Sequence, residues 1–415
     1  MEAFYIESLA CSFGVSRINK GNGSMKKIVV ILASALLAST LWAESILKPI
    51  NEKGYGTFSG RIQSLSMYRD FEGVGNGADS SLGIILEYTT PEWKGLDAGV
   101  AYNYAWEWFD HNNSDLLANN GVHLFNEAWF RYNFGVLNLT NTTVLAGRKI
   151  NNGEVFRADD FRQKSRALET VQIESTDLAN HRITLGHALR MSNWIQVGDR
   201  WNFNDFGEVF GENYDTEGIT WGEVVNTSVK GLEVAVFDAY AWDISNLAGT
   251  RAKWAANEKT ALLGYYRHES DVGKAASLSA HAYGLSLQQK IGVVTLEPGF
   301  FSVHGGNLRF QELSTGINHA LGASMMVYAQ QFNGGADTLY FKAVAKIKKT
   351  TLYGLYNYTW QGKSTFDGQE LNLVVKQQIT DTFSVAVKGG VGYRNIEKGS
   401  NTTATDARLF LTYTF

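Results

Sequence analysis

Most of the chain beyond residue 50 alternates between apolar and polar side chains. In the segment 383–394, FSVAVKGGVGYR, one face carries Phe, Val and Tyr, and the other carries Ser, Ala, Lys, Gly and Arg. The segments 95–106, 126–134 and 337–347 alternate in the same way. A period of two belongs to a strand whose two faces meet different surroundings, and helical spacing is scarce here. The pattern therefore predicts an all-β protein.

The alternating segments number eighteen, and Gly, Asn and Asp separate them. The predicted strands are 57–69, 81–90, 95–107, 125–134, 138–148, 167–175, 181–190, 218–229, 232–242, 250–257, 260–268, 279–289, 293–304, 337–347, 350–361, 369–379, 383–395 and 406–415. Single-chain bacterial barrels have an even strand number, and this size encloses an aqueous channel. The least regular stretches are 232–268, where Asp238 interrupts the apolar face, and 305–336, so sixteen strands is the alternative.

Three features favour a transmembrane antiparallel β-barrel over a soluble sandwich. Apolar faces end in aromatic residues, as in the Tyr-x-Tyr-x-Trp that closes 95–106, which suits a membrane interface. Short connections such as 90–95 alternate with long ones such as 107–125 and 151–166. Lipid offers no hydrogen bonds, so a sheet in a membrane must close on itself. The predicted outer face meets outer-membrane lipid, and the inner face lines water.

The last ten residues, DARLFLTYTF, also alternate, and the chain ends on Phe415 inside a predicted strand. The first and last strands of a barrel must pair to remove open edges, so this strand is predicted to close the barrel. Tyr413 and Phe415 resemble the sorting signal that the outer-membrane barrel-assembly machinery reads. This machinery is therefore the predicted assembly partner.

Residues 25–43 have the basic start, apolar centre and small-residue end of a secretory signal peptide. Residues 1–24 are interpreted as an upstream extension from a misplaced start codon; a genuine cytoplasmic arm is the alternative. The mature barrel is expected to span 44–415, in the outer membrane of a Gram-negative bacterium. The single Cys11 lies in the extension, which leaves the mature chain without a disulfide framework or a Cys-based zinc site.

The composition and the motifs of the chain argue against several classes of function. A mean hydropathy of -0.18 excludes a bundle of membrane helices, and a formal net charge of -4 does not suggest a nucleic-acid partner. An outer-membrane enzyme needs a nucleophile and a base on one rim, but Ser364 has no His nearby, and no H-E-x-x-H occurs. We therefore expect no enzyme, no cofactor and no metal site. A transporter for hydrophobic substrates needs a plug, and only 44–56 precede the first strand.

Charged side chains mark a candidate pore. The segment 149–166 is long, charged and belongs to the side of the long connections, and, folded inward, it would narrow the lumen as a constriction loop. Its charged residues are Glu154, Arg157, Asp159, Asp160, Arg162, Lys164 and Arg166. Rings or ladders of charged side chains select ions by sign. A solvated surface loop, whose ion pairs are worth about 0–1 kcal/mol each, is the alternative.

The polar faces of the predicted strands carry nine basic and five acidic residues, against the sign of the whole chain. The candidate wall residues are Arg131, Arg148, Arg182, Arg190, Lys342, Lys388, Arg394 and Arg408. A positive lumen is the prediction, and charges that simply hydrate a large pore are the alternative.

The order of segments resembles that of the substrate-specific porins of the OprD type. The resemblance rests on 81–104, 335–362 and above all 144–190, which is similar to a strand, constriction loop and hairpin of that family. It implies an eighteen-stranded channel with a basic ladder that passes carboxylate-bearing nutrients. The chain departs from the family in its Pro-poor constriction segment.

The predicted function is that of a passive outer-membrane porin for small hydrophilic solutes, favouring small organic anions. A general non-selective porin, assembled as a homotrimer, is the first alternative. An outer-membrane enzyme or a transporter for hydrophobic substrates is the second.

Overall fold

The computed structural model describes residues 51, 54–72, 75–111, 117, 121–158, 162–192, 202–275, 278–310, 326, 330–362, 367–395 and 401–415. The predicted extension 1–24, the predicted signal peptide 25–43, and Asp159 and Asp160 lie outside these residues.

The described residues form nineteen strands in one antiparallel sheet. The strands are β1 (Thr57–Phe71), β2 (Gly75–Thr89), β3 (Leu96–His111), β4 (Val122–Asn133), β5 (Thr142–Lys149), β6 (Ala167–Ser175), β7 (His181–Ser192), β8 (Phe203–Asp205), β9 (Ile219–Asn226), β10 (Leu232–Ala241), β11 (Ser245–Ala255), β12 (Thr260–Asp271), β13 (Ser279–Ile291), β14 (Val294–Gly305), β15 (Ala336–Ile347), β16 (Thr350–Gln361), β17 (Asp367–Gln378), β18 (Phe383–Asn395) and β19 (Thr402–Thr414). Each of the eighteen predicted strands corresponds to one of these, and β8 is the addition.

The sheet is a closed barrel, because β1 pairs with both β2 and β19. Eighteen strands form the wall, since β7 pairs directly with β9, and the three-residue β8 pairs only with the end of β7. The predicted strand number is confirmed, and sixteen is wrong. Two short helical turns accompany the strands in the described chain, a 3-10 turn (Phe134–Leu137) and α1 (Phe206–Phe210). No described helix is long and apolar enough to cross a membrane.

The two faces of the wall differ as the alternation predicts. On β13 the outward Tyr283 and Leu285 are 43% and 59% exposed, whereas the inward Ala282 and Ser286 are buried. Cross-strand registers carry this parity around the ring, so the direction of each strand residue can be read from its partner. The outward side chains are mainly Leu, Val, Ile, Phe, Tyr and Trp. Such an apolar outer surface suits contact with lipid.

Two predicted boundaries shift for local reasons. β5 begins at Thr142 rather than 138, because Asn138 takes the left-handed conformation (φ 68°) after the 3-10 turn. Asn adopts this conformation more readily than most residues. β11 begins at Ser245 rather than 250, because Asp243 (φ 60°) forms a tight connection directly after β10. Asp238, which interrupted the apolar pattern, faces outward, opposite Gly222 and Ala248.

The chain terminus closes the ring. Phe415 accepts a hydrogen bond from the amide of Gly60 at 2.9 Å and donates one to the Gly60 carbonyl at 3.1 Å. The rings of Tyr413 and Phe415 stack at 5.9 Å on the outward face. A Cβ at position 60 would lie 2.4 Å from Phe415 Cζ, so only glycine leaves room for this ring.

Candidate pore constriction

The segment between β5 and β6 folds into the lumen. Its charged residues Glu154, Arg162, Lys164 and Arg166 are 7%, 4%, 0% and 3% exposed, and Arg157 is half-buried. A segment that simply extended into solvent would not bury its charges. The described parts of this constriction loop, 150–158 and 162–166, therefore lie among lumen side chains.

The first half of the loop is fixed to the wall at β9 and β11. The amide of Val155 donates to Glu223 Oε1 at 3.0 Å, and Arg251 Nη2 pairs with Glu154 Oε1 at 2.6 Å. Phe156 is buried edge-on against Trp221, with ring centroids 5.0 Å apart. Hydrogen bonds, an ion pair and an aromatic contact together hold this half in one place.

The second half is fixed to the wall at β1 and β2. Gln63 Nε2 donates to the carbonyl of Arg162 at 2.9 Å, and Gln163 Nε2 donates to Ser81 Oγ at 2.7 Å. A Cβ at position 83 would lie 2.3 Å from Gln163 Oε1, so Gly83 gives this side chain room against the wall.

These anchors lie on opposite sides of the barrel. Following the strand order, β11, which holds Glu154, is nine strands from β1, which holds Arg162, in a ring of eighteen. The loop therefore reaches both walls of the lumen and narrows it, as a pore constriction does.

Basic side chains gather where the loop meets β1 and β19. Asp406 accepts from Arg69 Nη2 at 2.6 Å and from Arg408 Nε at 2.7 Å. Burial, together with the nearby charges of Arg69 and Arg408, lowers the pKa of Arg162 to about 9, while Asp406 and Asp79 oppose the shift. Arg69 and Arg408 thus bind the carboxylate of Asp406, and Arg162 lies close enough for these charges to act on it. The acidic groups Asp79 and Glu370 act on the same arginines and offset part of their charge.

A second basic group follows on the loop. Burial lowers the pKa of Lys164 well below its ordinary value, and the charge of Arg166 adds to the shift. The carbonyl of Ser165, between them, accepts from Asn126 Nδ2 at 3.1 Å. The loop backbone is thereby fixed while its basic side chains are desolvated.

The strand registers place six of the eight predicted wall residues on the lumen face: Arg131, Arg182, Lys342, Lys388, Arg394 and Arg408. Arg131 pairs with Asp97 at 2.5 Å, and Lys342 pairs with Glu297 at 2.6 Å. Lys388 Nζ lies 4.5 Å from the centroid of the Phe410 ring.

Arg148 and Arg190, predicted on the lumen wall, face outward instead. The neighbouring Lys149 points inward and pairs with Glu127 at 3.0 Å, so Arg148 lies on the other face. Arg190 loses the parity of Arg182 because the register shifts between Glu169 and Thr170, where β6 pairs with β7. One extra residue in a bulge reverses the side to which the next side chains point.

The registers also reveal lumen charges that the sequence pattern missed. The additional basic residues include Arg69, Lys149, Arg251 and Arg267, and the additional acidic residues include Asp79, Glu223, Glu269, Glu297 and Asp406. These additions and the loss of Arg190 from the lumen face reduce the excess of basic over acidic wall residues, and the loop contributes further basic groups. Opposite charges two residues apart on one strand, as in Arg267 and Glu269 (2.9 Å), were the signal available in the sequence.

A cavity of about 320 Å³ lies beside the loop. Its lining residues include Arg61, Glu87 and Asn103 from the wall and Ile150 and Ser165 next to β5 and β6. The Oδ1 atom of Asn103 is buried and meets no hydrogen-bond donor among the described residues. Polar groups and aliphatic side chains thus share the space beside the constriction.

At the rim with the long connections, Arg309 joins three elements. It pairs with Glu212, which follows α1, at 2.7 Å and with Asp271 of β12 at 2.8 Å. Phe310 packs edge-on against Phe210 at 5.5 Å. Among the described residues, no group of three or more His, Cys, Asp or Glu side chains is arranged to hold a metal ion.

Comparison with known proteins places this geometry in context. No protein-family model matches the chain, and no curated protein is similar to it in sequence. Solved structures do match. OccAB4 of Acinetobacter baumannii has a TM-score of 0.71 at 14% identity, with 86% of this chain and 97% of that chain covered.

Two Pseudomonas aeruginosa proteins solved with small molecules are equally similar. OpdK with vanillate has a TM-score of 0.70 at 11% identity, with 86% of this chain and 98% of that chain covered. OccK2 with glucuronate has a TM-score of 0.69 at 15% identity, with 87% and 98% covered. The chain therefore has the eighteen-stranded barrel fold of these outer-membrane proteins.

Proposed function

We propose that the chain is a passive outer-membrane porin for small hydrophilic solutes, with a preference for small organic anions. The observation that carries the proposal is the loop anchored on both walls, with Arg162, Lys164 and Arg166 buried in the lumen and Arg162 close enough to Arg69 and Arg408 for their charges to act on it. The shared fold supports it, since OpdK and OccK2 were solved with vanillate and glucuronate.

The proposed mechanism is replacement of hydration. A carboxylate that enters the narrow part of the lumen loses water, and guanidinium groups can replace that water with paired, charge-assisted hydrogen bonds. Arg162 and Arg166 are buried and act on the solute through their charge, whereas Arg157 on the loop is half-buried and Arg69 on the wall is 20% exposed, so these two can meet the solute. Several weak sites let the ion move on, whereas one tight site would trap it.

Single-channel recording in planar bilayers tests the proposal. Reversal potentials under a salt gradient give the anion-to-cation permeability ratio. Wild-type protein should favour anions, and Arg162→Gln combined with Arg166→Gln should lower the ratio, because two positive charges leave the narrowest part. Arg148→Gln combined with Arg190→Gln is the matched control, since it removes the same charge from the outer face.

Equal ratios for the loop variant and the outer-face variant would contradict the anion preference. A cation-selective wild-type channel would contradict it as well. The balance of acidic and basic wall residues gives one reason to keep a general diffusion porin as the second candidate. A general diffusion porin would show the same weak ion selectivity in the wild-type protein, the loop variant and the outer-face variant. Chemical cross-linking would test whether the chain forms the trimer expected of such a porin.

A further inference from the structure

The end of the barrel with the short connections carries a ring of exposed aliphatic side chains. Each lies in a different turn, or at the strand end next to it, and each is between 47% and 60% exposed. These residues are Leu178, Val229, Ile291, Ile347 and Ile379. One exposed aliphatic residue on a protein surface is ordinary. Five at the same end of a closed ring indicate that an apolar medium surrounds these turns.

Polar side chains one level above the aliphatic ring are paired with one another. Thr260 Oγ1 donates to Gln289 Oε1 at 2.9 Å, and Thr350 Oγ1 donates to Gln377 Oε1. Each glutamine has the outward parity of its strand and is followed two residues later by an exposed isoleucine. Lipid offers no hydrogen bonds, so polar groups within it must bond to protein. The pairs therefore indicate that hydrocarbon extends down to the aliphatic ring.

The height of the apolar wall agrees with this position. Tyr283 and Ile291 both face outward from β13, eight positions apart. A rise of about 3.4 Å per residue and a strand tilt of about 40° separate them by about 21 Å along the membrane normal. The apolar band of outer-membrane barrels is about 25 Å tall, so the aliphatic ring is needed to complete it. Trp254, 50% exposed next to the end of β11, marks the same membrane interface.

Two adjacent turns add positive charge to this apolar rim. The turn between β13 and β14 contacts the turn between β15 and β16, because the amide of Lys346 donates to the carbonyl of Val293 at 3.4 Å. The exposed lysines around these two turns are Lys290, Lys348 and Lys349. In the part of the chain that the structure describes, Lys349 alone among these three meets a carboxylate, that of Asp381 at 3.5 Å. An ion pair between exposed side chains is weak, so most of the positive charge remains.

The other short turns carry less positive charge. The segment 134–141 has no charged residue, and 176–180 has only Asp177. The turns 90–95 and 256–259 each hold one acidic and one basic residue, and Lys230 is the single charge of 227–231. The rim is therefore most basic where the two adjacent turns meet.

We propose that these two turns bind the headgroup of an anionic glycerophospholipid in the inner leaflet. Ile291, Val293 and Ile347 are exposed and contact the upper acyl chains. Long lysine side chains extend along apolar surface and keep the ammonium group at the headgroup level, where it meets the lipid phosphate. Lys290 is next to the last residue of β13, so its side chain lies at the rim of the wall.

The combination of charges and aliphatic side chains favours lipid over other anionic partners. A basic residue at a membrane surface raises the affinity for anionic lipid by roughly fivefold. A glycan strand or an acidic protein would pair with the lysines but would leave the isoleucines in water. The site lies outside the lumen and does not depend on the proposed pore function.

Native mass spectrometry of the full barrel in detergent tests the proposal. The probes are phosphatidylglycerol and phosphatidylethanolamine with identical acyl chains. Wild-type protein should retain phosphatidylglycerol at least fivefold more strongly. The triple variant Lys290→Gln, Lys348→Gln and Lys349→Gln should retain it at least tenfold less, with phosphatidylethanolamine unchanged. The matched control is Lys94→Gln, Lys253→Gln and Lys376→Gln, which removes the same charge from another turn and from the lumen face.

A second variant tests the apolar contact. Ile291→Ser combined with Ile347→Ser keeps all three lysines and should also weaken retention of phosphatidylglycerol. Free glycerol phosphate has no acyl chains and should not displace the lipid. All variants should migrate as heat-modifiable barrels in gel electrophoresis. Equal retention of the two lipids by wild-type protein, an equal loss in the control, unchanged retention in the isoleucine variant, or displacement by glycerol phosphate or a soluble peptidoglycan fragment would each overturn the proposal.

Discussion

Replacement of Asp406 by Asn tests the electrostatics of the constriction with a predicted sign. The carboxylate faces the lumen from β19, its side chain is fully buried, and it binds Arg69 and Arg408 at 2.6 and 2.7 Å. Asparagine keeps the shape but removes the only negative charge among these three side chains. Arg162, whose pKa responds to the same group, then faces two guanidinium groups without that counter-charge.

The substitution should destabilise the barrel. Breaking a buried ion pair by removing one partner costs about 3–5 kcal/mol, because the other charge remains desolvated. Arg69 is 20% exposed and Arg408 is 4% exposed, so Arg408 suffers more. The temperature at which the folded band converts to the unfolded band in gel electrophoresis should therefore fall.

The same substitution should raise the preference for anions. In water, the electrostatic interaction energy between one unit charge and a monovalent ion about 6 Å away is about 0.7 kcal/mol. At 0.1 M salt the Debye length is about 10 Å, and screening reduces this energy to about 0.4 kcal/mol. The permeability of the anion should then rise about twofold and that of the cation should fall about twofold, so the anion-to-cation permeability ratio should rise about fourfold. At 1 M salt the Debye length is about 3 Å, and the change should shrink to less than about 1.5-fold.

Reversal potentials in planar bilayers at both salt concentrations measure this change. Asp238→Asn is the matched control, because Asp238 carries the same charge on the outer face of β10. It should leave the permeability ratio unchanged. A ratio that falls in Asp406→Asn, or that rises equally in Asp238→Asn, would refute the placement of Asp406 beside the conducting path.

Three further predictions concern assembly and the loop. N-terminal sequencing of protein from outer membranes should begin near Glu44, and an intact Met1 would exclude the predicted signal peptide. Deletion of Phe415 should leave unassembled protein in the periplasm, because the terminal strand loses the ring that covers Gly60; a normal heat-modifiable barrel would argue against this. Phe156→Ala should cost the loop about 3–5 kcal/mol of packing against Trp221 and produce larger, noisier single-channel currents, whereas unchanged currents would show that the other anchors suffice.

The barrel could be predicted from the sequence because the alternation of apolar and polar residues occurs within each strand and is repeated in every strand. A strand in a membrane wall alternates between lipid and water, so each segment carries its own evidence, as 383–394 does. Eighteen such segments agree with one another, and errors at the ends of single strands do not change the count. The shifts at Thr142 and Ser245 arose where Asn138 and Asp243 adopt a left-handed turn, a conformation that alternation does not report.

The sequence predicted less well whether an individual charged side chain faces the lumen or the lipid. Arg131, Lys342 and Arg408 follow the parity of their strands, and the registers put them on the lumen face. Arg190 faces outward, because a bulge between β6 and β7 reverses the parity within one strand. Glu223 and Arg251 were missed because their role depends on a loop that arrives from another part of the chain.

The sequence by itself determined the fold class, because lipid and water impose a period of two on every strand; it favoured eighteen strands and an inward loop but left sixteen strands and a solvated surface loop open. Only the tertiary structure decided which charges meet. Closure of the ring brings β1 beside β19 and puts β11 opposite β1, so Arg162 reaches Arg69 and Arg408 while Glu154 reaches Arg251. These contacts join residues that are far apart in sequence. They depend on strand register and ring closure, which the alternation of any one strand cannot encode.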